Sequence, residues 1–361
     1  MKHVVFAIST LYGGGAERVV SVWASALAER GYDVSVVTYA RVENEYSISP
    51  KVQVCPIASS VTECNGLSML ARLKRFRRTV KALKPDVIIS FLPEVQVYVA
   101  LATVGLRIPR IETIRISPWE VSILKTKFAP LWRWCFKSCR ALILQSKDQG
   151  EFFPSRVQNK SVVIPNPINQ IYIDNKKTEY SSASHKIVAA GRLSEQKNYK
   201  MLIDAVGLVL AEYPDVTLEI YGEGPLEKEL TAYIKDKALE GNIRLMGRTS
   251  ELYRVYRKSD LYVMSSNYEG MPNALAEAMA IGLPSISTDC RTGPRDLIDD
   301  GKNGYLVECG DSAMLAEKIK AIFSMSTEEQ RLLGTSAREK VVSFCSEENS
   351  LAKLIALIKS I

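Results

Sequence analysis

Two glutamates, Glu269 and Glu277, are the clearest chemical signal in the sequence, because they flank the start of an otherwise apolar helix in "YEGMPNALAEAMA". Pro272 suits the first helical position, where its missing N–H costs nothing. Asn273 and Glu277 are four residues apart and therefore share one helix face. Since a buried carboxylate without a partner is costly, that face is predicted to meet either water or a ligand that offers hydroxyl and amide groups.

Two basic residues, Arg192 and Lys197, follow a predicted strand in "AAGRLSEQKN". At the carboxyl end of a strand and beside a helix N-terminus, two cations can bind a diphosphate. The alternative is that both are solvated surface charges. Further glycine turns follow strands in "YGEGPLEKEL", which contains Gly222, in "MGRTSEL" and in "DCRTGPRDLI". Four such loops in one half of the chain favour a binding site.

Another glycine-rich turn, "STLYGGGAERVV", joins the first predicted strand to the first helix. Gly14 and Gly15 allow close backbone approach, and the helix N-terminus attracts anions. The spacing is not G-x-G-x-x-G, and no acidic residue ends the second strand to bind a ribose, which disfavours a dinucleotide site. The alternative is a tight turn with no ligand.

Strand-like and helix-like segments alternate along the whole chain, which is typical of parallel α/β sheets. The predicted fold is two doubly wound, Rossmann-like α/β domains that face a central cleft, with domains at 1–168 and 186–344 and a polar linker at 169–185. A final helix at 345–361 is predicted to dock onto protein. Its apolar face consists of Leu351, Leu354, Ile355 and Ile358.

The composition is that of a soluble globular protein large enough for two domains. The net charge of +7 is unevenly divided, because residues 1–170 carry +11 and the remainder carries −4. The first residues lack a signal-peptide cleavage site, and the longest apolar run is too short to cross a bilayer. Seven cysteines without a C-x-x-C pair indicate reduced thiols. These features predict a cytoplasmic protein.

The ordered motifs GGGAER, IPNP, GRLSEQKN, YGEGP, the Glu-x7-Glu pair and TGPRDLI resemble those of family 4 glycosyltransferases over essentially the whole chain. The resemblance implies the GT-B fold, a C-terminal helix that returns to the first domain, and retaining transfer of a hexose or N-acetylhexosamine from a nucleotide sugar, with UDP as the expected nucleotide. The motifs look most like those of bacterial enzymes that extend lipid-linked oligosaccharides or surface polysaccharides. Such an acceptor is therefore the expected partner.

By the same resemblance, Arg192, Lys197 and Glu269 form the catalytic set. Arg192 and Lys197 would hold the diphosphate, Glu269 would contact the donor sugar, and Glu277 would bind the ribose hydroxyls. The resemblance also assigns donor contacts to Gly14, Gly15, Arg115, Gly222, Gly270, Met271, Pro272 and Asn273. Arg115 stands where many relatives have a histidine that meets the donor sugar, which leaves the sugar preference open.

The expected mechanism needs neither an imidazole base nor a metal. The only histidines, His3 and His185, lie in the first strand and the linker, and no Asp-x-Asp pair occurs. Front-side attack, in which the leaving diphosphate takes the acceptor proton, is expected, with no cofactor. The alternatives are a sugar-nucleotide epimerase of the same fold, an NAD-dependent dehydrogenase and a non-catalytic sugar-binding subunit. No nucleic-acid-binding module is recognisable, so no nucleic acid partner is expected.

A basic amphipathic helix is predicted in "LARLKRFRRTVKALK", residues 70–84. Its apolar stripe is Leu70, Leu73, Phe76, Val80 and Leu83, and its seven cations include Arg75, Arg77 and Arg78. Together with the aromatic residues of 119–140, these charges predict peripheral binding to the anionic inner face of the plasma membrane. The alternative is a packed helix with a solvated outer face. Arg338, in a late helix, is predicted to lie on the surface.

Overall fold

The computed structural model describes residues 2–181 and 183–361, which divide into two compact units. The first unit is Met1–Pro167 together with Glu348–Ile361, and the second is Ile168–Glu347. Each unit is built on one parallel β-sheet. The predicted fold class of two Rossmann-like α/β domains is therefore confirmed.

The first unit contains seven strands, six helices before residue 167 and two short 3₁₀ turns at Ser122–Lys125 and Asp148–Phe152. The strands are β1 (His3–Ala7), β2 (Asp33–Thr38), β3 (Gln53–Pro56), β4 (Val87–Ser90), β5 (Arg110–Thr113), β6 (Ala141–Leu144) and β7 (Ser161–Val163). The helices are α1 (Gly15–Glu29), α2 (Val61–Gly66), α3 (Met69–Leu83), α4 (Pro93–Ala102), α5 (Ala129–Ser138) and α6 (Ser155–Gln158).

The second unit contains six strands, eight helices and a 3₁₀ turn at Glu195–Lys197. The strands are β8 (Lys186–Ala190), β9 (Thr217–Tyr221), β10 (Ile243–Gly247), β11 (Leu261–Met264), β12 (Ser285–Thr288) and β13 (Tyr305–Val307). The helices are α7 (Gln170–Asp174), α8 (Tyr199–Val209), α9 (Glu227–Asp236), α10 (Leu252–Lys258), α11 (Asn273–Ile281), α12 (Pro294–Leu297), α13 (Ser312–Phe323) and α14 (Thr327–Cys345).

Both sheets have a topological switch point beside their first strand. The strand orders are β3-β2-β1-β4-β5-β6-β7 and β10-β9-β8-β11-β12-β13. In the first sheet β1 pairs with both β2 and β4, and in the second β8 pairs with both β9 and β11. Open α/β sheets bind ligands at the carboxyl ends of the strands that flank such a point.

The central strands are apolar because both faces of each sheet are covered. In β1, Val4 and Phe6 pack into one hydrophobic cluster, and Val5 and Ala7 pack into another. This is the continuous apolar pattern expected of a buried parallel strand.

Strand β5 lacks the apolar pattern from which buried parallel strands are predicted. In β5 the reason is physical, because two of its four buried positions hold Arg110 and Glu112, which pair with each other at 2.7 Å. A buried ion pair replaces the apolar run that identifies the other strands.

The segment predicted as a linker contains α7 and packs within the second unit. Its Lys177 is buried, and the ammonium group donates to the carbonyls of Arg257 and Ser259 at 3.1 and 2.7 Å. The backbone N–H of Lys177 donates to the carbonyl of Ile281 at 2.8 Å. A polar segment can pack in this way because its hydrogen bonds satisfy carbonyl groups at helix ends.

A last helix, α15 (Glu347–Ser360), belongs largely to the first unit, as predicted. Leu351, Leu354 and Ile358 join the cluster around β1, and Ser350 accepts a hydrogen bond from the indole of Trp23 at 3.0 Å. Ile355 is only half-buried, and Leu357 takes the remaining buried position.

The basic helix α3 differs from its prediction in two ways. Leu70 is 69% exposed, so it does not join the stripe that Phe76 and Val80 bury. Three of the seven cations are engaged within the unit. Arg72 lies 3.5 Å from Glu94, and Arg75 pairs with Glu63 at 2.6 Å. Arg77 donates to two carbonyl groups at the C-terminal end of α4. The exposed basic residues of the segment are Lys74, Arg78, Lys81 and Lys84.

The prediction that Arg338 lies on the surface is wrong. Its guanidinium donates to the carbonyl of Ala280, in the last turn of α11, and to that of Ile173, in α7, at 2.8 Å. Arginine satisfies helix-end carbonyls in this way. Within residues 2–181 and 183–361, no helix has the length and apolar character needed to cross a membrane.

Candidate active site

Lys197 and Glu269 meet in the second unit, although 72 residues separate them. Lys197 ends the 3₁₀ turn after β8, and Glu269 lies in the loop after β11, the neighbouring strand. The Lys197 Nζ atom lies 2.6 Å from Glu269 Oε1, and only 16% and 8% of the two side chains are exposed. The switch point of this sheet therefore carries a buried ion pair.

This ion pair leaves bonding capacity unused. Ser266 Oγ also donates to Glu269 Oε1, at 2.7 Å, so both donors converge on one carboxylate oxygen. Within the described part of the chain, Glu269 Oε2 accepts no hydrogen bond, and the ammonium group makes no second contact. An ammonium group has three donors, so two remain for a ligand.

Polar residues lock the two loops together. Ser265 Oγ donates to the carbonyl of Lys197 at 2.8 Å, and Gln196 Nε2 donates to that of Tyr268 at 2.9 Å. Thr292 donates to the carbonyl of Glu269 from a third loop. No local sequence pattern marks these positioning residues, except that the two serines directly follow β11.

Glu277 lies inside α11 with 5% of its surface exposed, and Asn273 on the same face is half-buried. The face is therefore mostly closed to water, and both Glu277 and Asn273 have interactions within the chain. Pro272 is the N-cap of α11 and not its first helical residue, which is Asn273. The C-cap residue Gly282 has the left-handed backbone conformation. No side chain caps the start of α11.

The loop that precedes α11 is held by Gly293, whose φ is +99°. A Cβ atom at this position would lie 2.6 Å from the carbonyl oxygen of Gly270 and 2.7 Å from Pro272 Cδ. Met271, between them, is buried. The "TGPR" motif therefore fixes the backbone at the N-terminus of α11.

Gly222 brings the loops after β8 and β9 together. Its φ is +145°, and a Cβ atom would lie 1.9 Å from the carbonyl oxygen of Gly191. The N–H of Gly222 donates to the carbonyl of Gly247 at 2.8 Å. Arg192, next to Gly191, is exposed, and its guanidinium makes no hydrogen bond or ion pair with the residues that the structure describes, although its carbonyl accepts a hydrogen bond from Ser194.

In the first unit, Gly14 is the N-cap of α1, and α1 begins at Gly15. The carboxyl group of Glu17 folds back over this end, because a Cβ atom on Gly14 would lie 2.0 Å from Glu17 Oε2. Burial raises the pKa of Glu17 above its ordinary value. The helix end predicted to attract phosphate is therefore covered by a carboxyl group of the same helix.

Arg115 follows β5 in the first unit. Its guanidinium contacts the rings of Trp23 and Phe91, 4.7 and 4.8 Å from their centroids. Nη1 donates to Asn166 Oδ1 at 2.8 Å, and burial lowers the pKa of Arg115 to about 9. The predicted site residues thus form two groups, one at the sheet edge of each unit.

No group of three or more His, Cys, Asp or Glu side chains could hold a metal ion in the residues that the structure describes. The metal-independent mechanism stays a prediction.

Two family models match the chain, and together they span nearly all of it. The family described as "Glycosyltransferase Family 4" matches residues 13–170, and "Glycosyl transferases group 1" matches residues 173–340. The boundary between the two matches falls close to the boundary between the two units.

A relative from Campylobacter jejuni is 27% identical over the full length of both chains. Its name is GalNAc-alpha-(1->4)-GalNAc-alpha-(1->3)-diNAcBac-PP-undecaprenol alpha-1,4-N-acetyl-D-galactosaminyltransferase. HepE from Anabaena, solved with UDP and glucose, has a TM-score of 0.81 over 100% of both chains at 19% identity. TarM from S. aureus has a TM-score of 0.80 over 99% of each chain at 16% identity. The chain belongs to the glycosyltransferases, with a family 4 domain followed by a group 1 domain.

Proposed function

We propose that this glycosyltransferase transfers a hexose or N-acetylhexosamine, with retention of configuration, from a UDP-sugar to a lipid-linked or growing surface glycan. The observation that carries the proposal is the half-satisfied ion pair of Lys197 and Glu269 at the switch point of the second sheet. A nucleotide sugar needs a cation for its diphosphate and an acceptor for its sugar hydroxyls, and this pair offers both.

The diphosphate is the proposed partner of Lys197 and Arg192. Two ammonium donors of Lys197 are open, and the guanidinium of Arg192 is exposed. Charge that develops on the leaving diphosphate is stabilised most strongly by cations fixed in advance, and Glu269 holds Lys197 in place. The diphosphate would itself take the acceptor proton.

The sugar and ribose are assigned to the two glutamates. Glu269 Oε2 can accept a hydroxyl of the donor sugar, and the buried Glu277, in α11, is assigned the ribose. The backbone of Gly270–Asn273, held by Gly293, is the proposed contact for the sugar and phosphate. Gly14, Gly15 and Arg115 remain proposed donor contacts from the first unit.

Two relatives support this choice of substrates. The Campylobacter jejuni relative is named as an α-1,4-N-acetylgalactosaminyltransferase that acts on an undecaprenol-linked saccharide, and HepE was solved with UDP and glucose. An α-linked product formed from an α-linked nucleotide sugar corresponds to retention.

A cavity of about 480 Å³ in the first unit supports an acceptor site there. It lies beside Ser9, which follows β1, and Leu92, which follows β4, at the switch point of that sheet. The remaining lining residues are Met69, Pro93, Glu94, Val95, Val97, Tyr98, Ser122, Ile123, Thr126 and Phe128. The mixture of apolar and hydroxyl side chains suits a saccharide next to a lipid.

We also propose that the chain acts in the cytoplasm, on the inner face of the plasma membrane. Lys74, Arg78, Lys81 and Lys84 are exposed on or just after α3, and Met69, Leu70 and Phe128 are exposed apolar residues of the same unit. An anionic leaflet contributes about 1 kcal/mol per nearby basic residue.

The donor assignment is tested with a panel of UDP- and GDP-sugars and an undecaprenyl-diphosphate-linked N-acetylhexosamine acceptor. Thermal shift identifies the donor, and mass spectrometry follows transfer. We expect one UDP-sugar to support transfer, with the same rate in EDTA. Loss of activity in EDTA that Mn²⁺ or Mg²⁺ restores would contradict the metal-independent mechanism. Epimerised donor without transfer would indicate an epimerase instead.

Membrane binding is tested by flotation with phosphatidylglycerol vesicles and with phosphatidylcholine vesicles. Changing Lys74, Arg78, Lys81 and Lys84 to glutamine should abolish binding to the anionic vesicles and leave the fold intact. Arg75 and Arg77 are unsuitable targets, because each bonds to groups of its own unit. Equal partitioning of the native chain onto both vesicle types would leave α3 as a packed helix only.

A further inference from the structure

The guanidinium of Arg115 has one edge without a partner. Nη1 donates to Asn166 Oδ1, whereas Nε and Nη2 are closed off from solvent and bond to none of the residues described. Burial alone lowers the pKa of this guanidinium to about 9, so it is still charged at neutral pH. A buried charged group is normally paired or fully hydrogen-bonded, so the open edge needs an explanation.

The surrounding residues hold that edge in a fixed direction. Trp23, from α1, and Phe91, after β4, are in edge-to-face contact with each other, and the guanidinium lies 4.7 and 4.8 Å from their ring centroids. Asn166, after β7, fixes the opposite side of the group. The two ring contacts and the Nη1 hydrogen bond together fix the orientation of the planar group, so Nε and Nη2 point in one direction.

Nε and Nη2 form the edge that binds the two oxygens of a carboxylate side by side. The same chain uses this edge twice. Arg295 donates to both carboxylate oxygens of Asp289 through Nε and Nη2, at 2.7 and 2.5 Å. Arg331 does so with Glu328, at 2.7 and 2.6 Å. In Arg115 the same pair of donors has no oxyanion.

A second unsatisfied group lies beside the first. Gln145, after β6, donates to the same Asn166 Oδ1 at 2.8 Å, and its own Oε1 is buried with no partner among the described residues. Arg115 and Gln145 therefore donate to the same oxygen atom, Asn166 Oδ1. The Nε and Nη2 atoms of Arg115 and the Oε1 atom of Gln145 have no hydrogen-bond partner among the described residues. A ligand that presents an oxyanion and a neighbouring hydroxyl would satisfy all three.

We propose that Arg115 and Gln145 bind an oxyanion of the sugar substrate, either the carboxylate of a uronic acid or a phosphate, with a neighbouring hydroxyl donating to Gln145. The site lies at the carboxyl ends of β5, β6 and β7. The substrate identity rests on the proposed function, whereas the oxyanion binding rests only on this cluster. The sugar substrate of the proposed function would then be a hexose derivative that carries an acidic group, and the site would select it over the neutral sugar.

The test is a binding titration of the ¹⁵N-labelled full chain with sodium glucuronate, inorganic phosphate and glucose. The reporters are the Nε–H signal of Arg115 and the indole N–H of Trp23, which stacks on it and donates to Ser350. We expect glucuronate or phosphate to shift both signals at millimolar concentration and glucose to leave them unchanged. The anion that binds with the lower Kd shows whether the site suits the carboxylate of a uronic acid or a phosphate group.

The matched variants are Arg115→Met, Arg115→Lys and Gln145→Leu, with Arg331→Met as the control. Arg115→Met keeps an unbranched side chain against the two rings and removes the guanidinium, so the anion affinity measured from the Trp23 signal should fall at least tenfold. Arg115→Lys keeps the positive charge without the bidentate geometry. Its affinity for the anions should lie between those of the native chain and of Arg115→Met. Arg331→Met, on a surface ion pair, should match the native chain.

The proposal is overturned if neither anion shifts the signals, or if the shift persists in Arg115→Met. If Arg115→Met does not fold, Gln145→Leu decides, because it keeps the cation and should weaken glucuronate binding several-fold. Unchanged affinity in Gln145→Leu would then contradict the site. None of these measurements depends on transfer, so their failure is distinct from failure of the proposed function.

Discussion

Two buried ion pairs, one in each unit, differ in how completely they are satisfied. In the first unit, Arg110 pairs with Glu112 at 2.7 Å and also donates to Ser138, while Ser90 donates to the second oxygen of Glu112. In the second unit, both donors to Glu269 converge on one oxygen, and Lys197 makes a single contact.

The difference separates a structural pair from a functional one. Arg110 and Glu112 lie within a strand, and the hydrogen bonds of Glu112 use both of its oxygens. Lys197 and Glu269 lie in loops at a switch point, and each has hydrogen-bonding capacity without a partner among the described residues. Burial and charge are alike in the two pairs, so the unused hydrogen-bonding capacity is what indicates a ligand.

Arg110→Met should cause the largest loss of stability, because it leaves the fully buried Glu112 without its counter-charge. Breaking a buried pair in this way costs about 3–5 kcal/mol. Urea denaturation measures the change in the free energy of unfolding. The double variant Arg110→Met/Glu112→Gln should recover most of the loss, and a double variant as unstable as the single one would contradict this account.

The loss in Arg110→Met should also depend on pH. Burial raises the pKa of Glu112 to about 7, so the folded chain holds this proton more tightly than the unfolded chain. The free energy of unfolding therefore falls as the pH rises toward that value. Arg110 opposes this loss by stabilising the charged carboxylate. The substitution should accordingly cost more at pH 8.5 than at pH 5.5.

Lys197→Met should show the opposite balance, with a large loss of activity and a smaller loss of stability than Arg110→Met. Removing one charged donor from a developing oxyanion lowers kcat by roughly 100- to 1,000-fold. Lys200→Met is the matched control, because Lys200 pairs with Glu229 on the surface. Steady-state kinetics and urea denaturation are measured on both variants. Turnover of Lys197→Met within threefold of the native rate would remove Lys197 from the diphosphate site.

Glu277→Gln should weaken binding of free UDP, because a carboxylate binds paired ribose hydroxyls more strongly than an amide does. A hydrogen bond to a charged group contributes about 1.5–3 kcal/mol, so the Kd should rise roughly tenfold or more. Isothermal titration calorimetry provides the value. Glu269→Gln is the internal comparison, and should bind UDP normally while using the UDP-sugar poorly. Native affinity for UDP in Glu277→Gln would make the ribose assignment wrong.

The sequence identifies most of the elements, because buried parallel strands and amphipathic helices leave regular apolar patterns. It fails where a polar residue occupies a buried position. The pair of Arg110 and Glu112 interrupts the apolar pattern of β5. Lys177 gives a packed segment the composition of a linker. Arg338 has the sequence context of a surface charge, although it bonds to carbonyl groups of two helices. In each case the partner is distant in sequence or is a backbone carbonyl, which no local pattern reveals.

Some features of the candidate site can likewise be predicted from the sequence, and others are visible only in the structure. Glycine turns and charges after strands indicate Lys197 and Glu269, but only the adjacent strands β8 and β11 show that they form a pair. The resemblance to relatives singles out Arg115, and only the structure shows its open edge. Spacing in sequence indicates which residues reach a sheet edge, and the contacts there decide which of them have capacity left for a ligand.

The smallest expected effect comes from a difference between the N-terminus of α1, beside the first sheet, and the N-terminus of α11, beside the second. The start of α11 has no side-chain cap, whereas that of α1 is covered by Glu17. If Gly14 and Gly15 contact the donor phosphates, the nearby carboxyl group of Glu17 disfavours the approach of a phosphate to the same helix end. Glu17→Gln removes the competing charge, and a charge at a helix terminus contributes about 0.3–1 kcal/mol. The donor KM should therefore fall about two- to fivefold, with kcat unchanged.

Glu29→Gln is the matched control, because Glu29 ends the same helix and pairs with Lys51 on the surface. An unchanged KM in Glu17→Gln would mean that phosphate does not reach the glycine turn, and Gly14 and Gly15 would serve the turn alone. A raised KM would mean that the Glu17 carboxyl group itself contacts the substrate. Either result would leave α11 as the helix whose N-terminus binds the donor, since its uncapped N–H groups have no competing carboxylate from their own first turn.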